Sequence, residues 1–291
     1  MEVGCMLYVV ATPIGHLQDL SIRAREVLSS VAGLLCEDTR HSAILLGHYG
    51  IKKPMRALHQ HNEASLLPEL LAELQAGFDL ALLSDAGTPL VSDPGGRLVR
   101  AAAEAGIRVV PIPGASAVTA ALMVAGFAAD RFVFQGFLPR TAAGRHEVLQ
   151  AMRREQRTMV FFEAPHRLMA MIQDATAVFG AERLACLCRE LTKMHEDIRR
   201  EPLGELARAL ANGTIPTLGE CVVVVEGAPA TEPCTVLDTE TVWAALQKAL
   251  PPSRAAALMA QLAGGSKGNW YARLHGRDAP ADTEEGQEPD P

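Results

Sequence analysis

The fold class follows from residues 80–89, which read Leu-Ala-Leu-Leu-Ser-Asp-Ala-Gly-Thr-Pro. A run that is apolar at consecutive positions is typical of a strand buried on both faces of a parallel sheet, and the glycine and proline after it end the strand. Similar short runs alternate with amphipathic helical stretches in the amino-terminal part of the chain. This alternation predicts an α/β fold with a parallel amino-terminal sheet and helical crossovers. The predicted strands cover residues 7–11, 34–36, 56–59, 80–84 and 108–112.

A second set of apolar runs follows residue 113. Runs at 132–135, 158–162, 184–189 and 220–226 predict a smaller sheet of mixed direction, with helices between its strands. Ser21 and Ser65 are predicted to cap helices that end near residues 30 and 77. We predict four segments: an amino-terminal α/β domain at 1–113, a carboxyl-terminal α/β domain at 114–228, a helical extension at 239–276 and a disordered acidic tail at 277–291.

The charge balance limits the partners of the protein. The 291 residues include 34 acidic and 27 basic ones, for a net charge of −7, which excludes a general polyanion binder. Residues 131–200, however, hold 12 basic and 8 acidic residues. This distribution permits an enzyme that presents one basic surface to one structured RNA. No apolar run approaches the length of a membrane span, and we expect a cytoplasmic protein.

Several common cofactor and metal motifs are missing from the sequence. It has neither a Gly-x-Gly-x-x-Gly fingerprint nor a P-loop, and its six cysteines form no Cys-x-x-Cys pair. His59 and His61, with Glu63, offer three metal ligands, but an exposed polar strand end needs no metal. We therefore predict reduced, buried thiols and no metal.

The loops that follow the predicted strands are the candidate binding site, because ligands of open parallel sheets bind beyond the carboxyl ends of the strands. Five such loops are rich in glycine, proline and small polar residues, which let a ligand approach the backbone closely. The loop at 84–89 suits an amino acid or a nucleoside, although a plain strand-to-helix turn also explains it. The five loops cover residues 12–19, 37–41, 59–63, 84–95 and 111–117.

Seven motifs lie within residues 7–227 in a characteristic order. They are Thr-Pro-Ile-Gly at 12–15, Glu-Asp-Thr-Arg-His at 37–41, Ser-Asp-Ala-Gly-Thr-Pro at 84–89, Asp-Pro-Gly at 93–95, Gly-Phe-Leu-Pro-Arg at 136–140, Phe-Glu-Ala-Pro-His-Arg at 162–167 and Arg-Glu-Leu-Thr-Lys at 189–193. Together they resemble the tetrapyrrole methylase family, and within it the members that methylate ribosomal RNA. Tetrapyrrole-modifying members carry Gly-x-Gly-Pro-Gly-Asp after the first strand, which is replaced here by Thr-Pro-Ile-Gly-His-Leu. The chain departs from the RNA branch at His16, Ala115 and Leu218, where Asn, Pro and Lys are usual.

The resemblance implies S-adenosyl-methionine-dependent 2′-O-methylation of the ribose of a decoding-centre cytidine, position 1402 in the usual 16S rRNA numbering. It also implies two α/β domains of the tetrapyrrole methylase type with the methyl donor in the cleft between them, a homodimer, and 16S rRNA or the 30S subunit as partner. Two alternatives stay open: a methyltransferase of the same family that acts on a small tetrapyrrole, and a catalytically silent RNA-binding factor in ribosome assembly.

Site residues follow from the motifs of the resemblance, from the chemistry of methyl transfer and from the basic residues of segment 131–200. Asp38, Glu63, His59 and Glu163 are candidate general bases, and Arg40 or Lys193 is a candidate cation that lowers the pKa of the ribose hydroxyl. A local salt bridge explains Asp38 and Arg40 equally well. The residues expected to bind RNA are His16, Arg40, Arg140, Arg145, Arg167 and Lys193. Those expected to bind the methyl donor are Pro13, Ser84, Asp85, Ala86, Gly87, Thr88, Pro89, Gly114, Ala115, Ser116, Ala117, Phe162, Glu163 and Leu191.

Overall fold

The computed structural model describes residues 5–229 and 239–273. Residues 5–229 form one compact unit with two five-stranded sheets, and residues 239–273 form a separate helical unit. Within these ranges, no helix combines the length and the apolar character needed to cross a membrane. The predicted α/β fold with a parallel and a mixed sheet is confirmed.

The first sheet has the order β3-β2-β4-β1-β5, and its strands are all parallel. Helices α1 and α2 cover one face of it, and α3 and α4 cover the other. Because Leu80 and Leu82 face α3 and α4 while Ala81 and Leu83 face α1 and α2, β4 is apolar at every position. The strands are β1 (Met6–Val10), β2 (Gly33–Cys36), β3 (Met55–Ala57), β4 (Leu80–Leu83) and β5 (Arg108–Ile112); the helices are α1 (Ile22–Ser30), α2 (Thr39–His48), α3 (Glu63–Gln75) and α4 (Gly96–Glu104).

The second sheet has the order β6-β7-β10-β8-β9 and mixed directions. Strands β6 and β7 are parallel, whereas β10 is antiparallel to both β7 and β8, and β9 is antiparallel to β8. Helix α5 packs on one face, and α6, α7 and α8 pack on the other. The strands are β6 (Phe132–Phe137), β7 (Thr158–Glu163), β8 (Leu184–Arg189), β9 (Asp197–Pro202) and β10 (Cys221–Val225); the helices are α5 (Ala117–Ala125), α6 (Ala142–Ala151), α7 (Pro165–Phe179) and α8 (Leu203–Ala211).

Three local features differ from the sequence prediction. Strand β9 was not predicted, because its polar residues suit an edge strand that pairs on one side only. Helix α2 was not predicted either. The predicted cap at Ser65 is wrong: α3 begins at Glu63 after Asn62, whose amide oxygen accepts from the His59 backbone N–H at 2.8 Å, and the Ser65 hydroxyl donates to the Asn62 carbonyl.

The helical unit consists of α9 (Thr239–Ala249), α10 (Pro252–Ala263) and α11 (Lys267–Arg273). Its small core packs Trp243 against Trp270, with ring centroids 5.4 Å apart, and the Trp270 indole N–H donates to the Gly264 carbonyl at 2.8 Å. Trp270 is therefore a core residue of this unit. Residues 230–238, between the second and third predicted segments, and the predicted tail at 277–291 lie outside the described residues. The division into four segments stays a prediction.

Candidate active site

The loop after β4 is tied to the end of β1 at the carboxyl edge of the first sheet. The buried Thr12 hydroxyl donates to the Ser84 carbonyl at 3.0 Å, and the backbones of Thr12 and Gly87 exchange two hydrogen bonds of 2.8 and 3.1 Å. The Thr88 hydroxyl reaches the Ala115 carbonyl at 3.1 Å. The loops after β1, β4 and β5 are therefore joined at the carboxyl edge of the first sheet, where ligands of parallel sheets are expected to bind. We call these joined loops the cavity floor.

A cavity of about 370 Å³ lies between this floor and the second sheet, and we call it the larger cavity because it is the larger of two adjoining cavities at this edge. Its size falls in the range of small-molecule sites, and its walls are mainly apolar with a few polar groups. Its lining residues come from both sheets and are Ile14, Ala86, Gly87, Thr88, Val91, Ser92, Asp93, Ser116, Ala117, Phe137, Phe162, Glu163, Ala164, Pro165, Glu220, Cys221 and Val222.

Glycine is required at one point of the cavity floor. Gly87 has φ +81°, and a Cβ atom there would lie 3.1 Å from Ile14 Cγ2. A larger residue would strain the backbone and push into the cavity wall. The small residues of this loop therefore bring the backbone itself to the cavity.

Glu163, at the end of β7, is a buried carboxylate in the cavity wall. Its Oε1 accepts the Ala164 backbone N–H at 2.9 Å and lies 3.1 Å from Arg167 Nε, whereas Oε2 has no hydrogen-bond partner among the described residues. Burial raises the pKa of the Glu163 carboxyl, and the Ala164 amide and the guanidiniums of Arg167 and Arg145 offset part of this rise. A buried oxygen without a hydrogen-bond partner is energetically unfavourable, and a donor group of a ligand would remove this penalty by hydrogen-bonding to it.

Asp93 is a half-buried carboxylate of the same cavity, and it comes from the loop between β4 and α4. Burial raises its pKa to about 6, and the neighbouring charges of Glu37 and Asp85 add to this effect, while the Ser84 hydroxyl opposes it. A carboxylate with a raised pKa in a cleft is a candidate for proton transfer.

The segment that carries Asp93 has an unusual backbone. Leu90 and Ser92 have φ values of +73° and +66°, although neither is a glycine. Such conformations cost on the order of 1–3 kcal/mol each and tend to occur at functional sites. The segment reaches across to β6, since a Cβ on Gly136 would lie 3.4 Å from Ser92 Oγ.

Replacing Asp93 with asparagine is expected to stabilise the protein at neutral pH. Because the folded-state pKa of Asp93 is raised to about 6, folding favours the protonated form, and stability is lost as pH rises from about 4 through 6. Asparagine removes that loss, which we place on the order of 1–2 kcal/mol at pH 7 after solvent screening. Denaturant unfolding at pH 7 and pH 4 measures the difference, which should vanish at pH 4; an equal effect at both pH values would contradict the electrostatic cause.

A second cavity, of about 190 Å³, adjoins the larger one and shares Ile14, Ala86 and Glu220 with it. Lys193 closes one side, with its ammonium group 3.0 Å from Glu190 Oε1 and 3.1 Å from Glu220 Oε2. The remaining lining residues come from the loop after β1, from α2 and from the loop after β4, and are Pro13, Gly15, Leu17, His41, Ser42, Ile44, Leu45, Ser84 and Asp85.

The residues predicted to bind a methyl donor are distributed over both cavities. Ala86, Gly87, Thr88, Ser116, Ala117, Phe162 and Glu163 line the larger cavity. Pro13, Ser84 and Asp85 line the second cavity, together with Ala86 and the predicted RNA-binding residue Lys193. Pro89, Gly114, Ala115 and Leu191 line neither cavity. Gly114 packs on Ala11, and Leu191 belongs to the core beneath α5.

Four of the candidate catalytic residues, Asp38, Arg40, Glu63 and His59, lie outside both cavities. Asp38 and the exposed Arg40 form a two-bond ion pair of 3.1 and 2.7 Å, and the Arg40 guanidinium holds the pKa of Asp38 at about 2. Glu63 is buried, and its Oε1 accepts the Leu98 backbone N–H at 3.0 Å, which caps α4. The two hydrogen bonds between Asp38 and Arg40 match the interpretation of this pair as a local salt bridge.

Most of the basic residues from 131–200 are already paired. Arg145 is buried with its Nε 2.6 Å from Asp174 Oδ2, so its guanidinium is not exposed for contact with an RNA phosphate. Arg167 donates to the Leu138 carbonyl at 2.6 Å. His16 contacts the second sheet through its backbone N–H, which donates to the Thr192 hydroxyl at 3.1 Å. Arg140, Arg153 and Arg154 are exposed and have no ion pair within the described residues.

The sequence prediction did not select Asp93, Phe137, Ser42, Cys221 or Val222. Asp93, ten positions after the end of β4, was included in the candidate loop at 84–95 and in the Asp-Pro-Gly motif but was not singled out as a site residue. Cys221 and Val222 begin β10, which is antiparallel to β7, so that Cys221 pairs with Glu163 at the end of β7. A search of the carboxyl ends of strands therefore cannot find them.

The family model for tetrapyrrole (corrin/porphyrin) methylases matches residues 6–207 of the chain. A ribosomal RNA small subunit methyltransferase I from Pseudomonas aeruginosa is 51% identical over 267 residues, which cover 91% of this chain and 95% of that protein. The protein of the same name from Escherichia coli O157:H7 is 47% identical over 265 residues, 91% of this chain and 93% of the relative. The sequence similarity thus spans both sheets.

Solved structures share the fold at low sequence identity. A diphthine synthase superposes with a TM-score of 0.60 at 17% identity, covering 76% of this chain and 90% of that one. A uroporphyrin-III-C-methyltransferase from Thermus thermophilus gives a TM-score of 0.55 at 19% identity, covering 76% of this chain and 94% of that one. These two likenesses concern the fold alone.

Proposed function

The chain belongs to the tetrapyrrole (corrin/porphyrin) methylase family and to its ribosomal RNA small subunit methyltransferase I group, and we propose from this premise that it transfers a methyl group from S-adenosyl-methionine to 16S ribosomal RNA. The seven motifs therefore identified the family correctly. The acceptor that we propose is the ribose 2′-hydroxyl of a decoding-centre cytidine, in the 30S subunit or in the free RNA. Such a substrate lies in the cytoplasm.

The observation that carries this proposal is the fit of the larger cavity to the methyl donor. Gly87, Ser116 and Ala117 let a ligand approach the backbone, and Phe162 offers an aromatic wall. Oε2 of Glu163, a residue of the cavity wall, is buried without a hydrogen-bond partner among the described residues, and we propose that a hydroxyl or ammonium group of the donor supplies one. We propose that these residues hold S-adenosyl-methionine, which supplies an electrophilic methyl group on a sulfonium.

The protein itself contributes to methyl transfer by holding the reacting groups in position and by shielding them from water. An in-line displacement gains most from fixed geometry, and Thr12, Ser84 and Thr88 tie three loops of the cavity floor together. The apolar side chains of Val91 and Val222 line the same cavity and exclude water from it. A methyl group held there is protected from hydrolysis.

Asp93 is the group that we propose as proton acceptor. A ribose hydroxyl is a weak nucleophile, and a nearby base raises its reactivity. Asp93 lines the larger cavity, and its pKa of about 6 leaves it ionised at neutral pH while making it more basic than an ordinary carboxylate. Glu163 is held by Ala164 and Arg167, which suits binding better than proton transfer.

Arg140 is the side chain that we propose for contact with RNA phosphates. It is exposed in the loop that follows β6, directly beyond the cavity residue Phe137. Among the residues that the sequence prediction gave to RNA, His16 and Lys193 lie at the second cavity or beside it. Association into a homodimer, which the family resemblance implies, stays a prediction that light scattering on the full chain measures.

The test of this function is transfer of labelled methyl from S-adenosyl-methionine to three acceptors: 30S subunits that lack the modification, free 16S rRNA and a uroporphyrinogen-type tetrapyrrole. Label is expected in ribosomal RNA, in an alkali-resistant dinucleotide, because a 2′-O-methyl group blocks cleavage of the adjacent phosphodiester. Label in the tetrapyrrole would favour the small-molecule alternative. RNA binding without any label would favour the silent assembly factor.

A further inference from the structure

Residues 190–193 form the loop after β8, and the function proposed above leaves this loop without a role. The sequence prediction gave Leu191 to the methyl donor and Lys193 to RNA. In the structure Leu191 is buried in the core beneath α5, and the Lys193 ammonium group is paired with two carboxylates. The role of the loop is therefore sought in what it contacts.

The backbone of the 190–193 loop is strained at two positions. Glu190 and Thr192 have φ values of +53° and +63°, although neither is a glycine. This left-handed conformation is unfavourable for residues with a Cβ, and for a β-branched residue such as threonine it is rare. Such conformations persist only where the surrounding interactions hold them, and they tend to occur at functional sites.

A set of hydrogen bonds holds the loop in this conformation. Glu190 Oε1 accepts the Glu220 backbone N–H at 2.8 Å and lies 3.0 Å from the Lys193 ammonium group. The Glu190 backbone N–H donates to the Glu220 carbonyl at 2.9 Å, and the Thr192 backbone N–H donates to Glu196 Oε2 at 2.7 Å. Because Glu220 directly precedes β10, these bonds fix the loop to the second sheet.

The Thr192 side chain joins this loop to the first sheet. Its hydroxyl accepts the His16 backbone N–H, in the loop after β1, at 3.1 Å. The two loops are closely packed at this point. A Cβ on Gly15 would lie 2.7 Å from Thr192 Oγ1 and 2.9 Å from the Leu191 carbonyl oxygen. A larger residue at position 15 would therefore push the two loops apart.

Ile14, directly before Gly15, connects this contact to the cavities. It lines both of them, and its Cγ2 is the atom nearest to a Cβ added at Gly87. On the other side of Ile14, Thr12 is bonded to the loop after β4. The hydrogen bonds at Thr12 and at His16 thus fix the wall segment between them from both ends.

Resting on the function proposed above, we propose that Thr192 is a positioning residue for methyl transfer, and that it acts by holding the loop after β1 against the second sheet. An in-line displacement depends on the alignment of the reacting atoms, and a misplacement of about 1 Å costs on the order of 10²-fold in rate. Donor binding, in contrast, is spread over many contacts of the larger cavity. Loss of the Thr192 contact therefore affects the rate more than the donor affinity.

The first test removes the hydroxyl and keeps the branched shape of the side chain. Thr192→Val in the full-length protein is expected to lower the single-turnover rate of ribosomal RNA methylation about 10- to 30-fold, with saturating donor. Kd for S-adenosyl-methionine, measured by titration calorimetry, should rise by less than about threefold. Thr192→Ser restores the hydroxyl and should recover at least about half of the wild-type rate.

Thr176→Val is the matched control for this substitution. Thr176 on α7 is half-buried like Thr192, its hydroxyl donates to the Ile172 carbonyl at 2.7 Å, and it lines neither cavity. Its rate should match that of the wild type. A contact that served stability alone would, when lost, lower the free energy of unfolding and leave the rate of the folded enzyme unchanged.

A second pair of variants adds one methyl group instead of removing a hydrogen bond. Gly15→Ala is expected to lower the same rate about tenfold, because its Cβ displaces the 190–193 loop. Gly47→Ala on α2 is the control, since no atom lies within 4 Å of a Cβ added there and Gly47 lines neither cavity. The double variant of Gly15→Ala and Thr192→Val should be no slower than the slower single variant, because both changes break one contact.

The inference is overturned if Thr192→Val keeps its rate within about twofold of the wild type, if its loss lies wholly in donor affinity, or if Thr192→Ser is equally slow. Losses that multiply in the double variant would also contradict it, since Thr192 and Gly15 would then act independently. A wild-type protein that methylates no ribosomal RNA overturns the proposed function, whereas an active wild type with unaffected variants overturns this inference alone.

Discussion

Replacing Asp93 with asparagine is expected to lower kcat for ribosomal RNA methylation by about 10²- to 10⁴-fold, the usual contribution of a positioned general base. Asparagine keeps the size and the hydrogen-bonding oxygen of the side chain but cannot accept the hydroxyl proton. Asp93 lines the larger cavity, which we assign to the donor, so Kd for S-adenosyl-methionine is measured beside kcat, and a role in proton transfer requires that the loss in kcat exceed any loss in donor affinity. Single-turnover methylation of 30S subunits isolates the chemical step.

The pH profile separates proton transfer from a positioning role. The base must be ionised, so wild-type kcat should rise with pH through about 6, the raised pKa of Asp93, and level off above it. Asp93→Asn should lose that rise. Asp130→Asn serves as a control, since Asp130 is exposed and lines neither cavity. An Asp93→Asn variant that keeps the same rise in kcat, or most of the wild-type rate, would assign proton transfer to another group.

Gly87→Val is expected to weaken donor binding about 10- to 100-fold, and it is the strongest test of the cavity floor. Valine adds a Cβ 3.1 Å from Ile14 Cγ2, and its methyl groups enter the wall of the larger cavity. Overpacking of this kind costs about 1–3 kcal/mol, which corresponds to that loss of affinity. Titration calorimetry with S-adenosyl-methionine measures the change directly.

Gly77→Val is the matched control, because it carries the backbone strain without the obstruction. Gly77 has φ +96°, close to the +81° of Gly87, and no atom lies within 4 Å of a Cβ added there. Both variants should lose about 1–3 kcal/mol of stability in denaturant unfolding, since valine tolerates positive φ poorly. Only Gly87→Val should lose donor affinity; equal affinities would place the donor outside this cavity.

Much of the fold could be predicted from short-range patterns. Strands such as β4 and β10 are apolar at every position because both of their faces are buried, and this signal is visible in the sequence. Strand β9 could not be predicted from the sequence, because an edge strand with polar residues has no continuous apolar run. The cap of α3 was misplaced because Ser65 and Asn62 both suit a helix start, and the hydrogen bonds of Asn62 to its preceding loop decide between them.

The site could be predicted only where its residues follow parallel strands. The loop at 84–89 was predicted because it follows the carboxyl end of a parallel strand, and its residues line the two cavities as expected. Glu63 and Arg145 were selected by residue type, but Glu63 caps α4 and Arg145 is buried against Asp174. Residue type indicates what a side chain can do, whereas its partners determine which of those roles is available.

The sequence by itself determined the family, the two-sheet α/β fold and the row of small-residue loops, because each of these rests on patterns within a few neighbouring residues. Only the tertiary structure decided which polar groups share a cavity. Asp93 has a raised pKa because folding buries it near the charges of Glu37 and Asp85, which come from the ends of two different strands. Burial and electrostatic interaction depend on distances in space, and here these distances are set by the pairing of β2 with β4 within the first sheet.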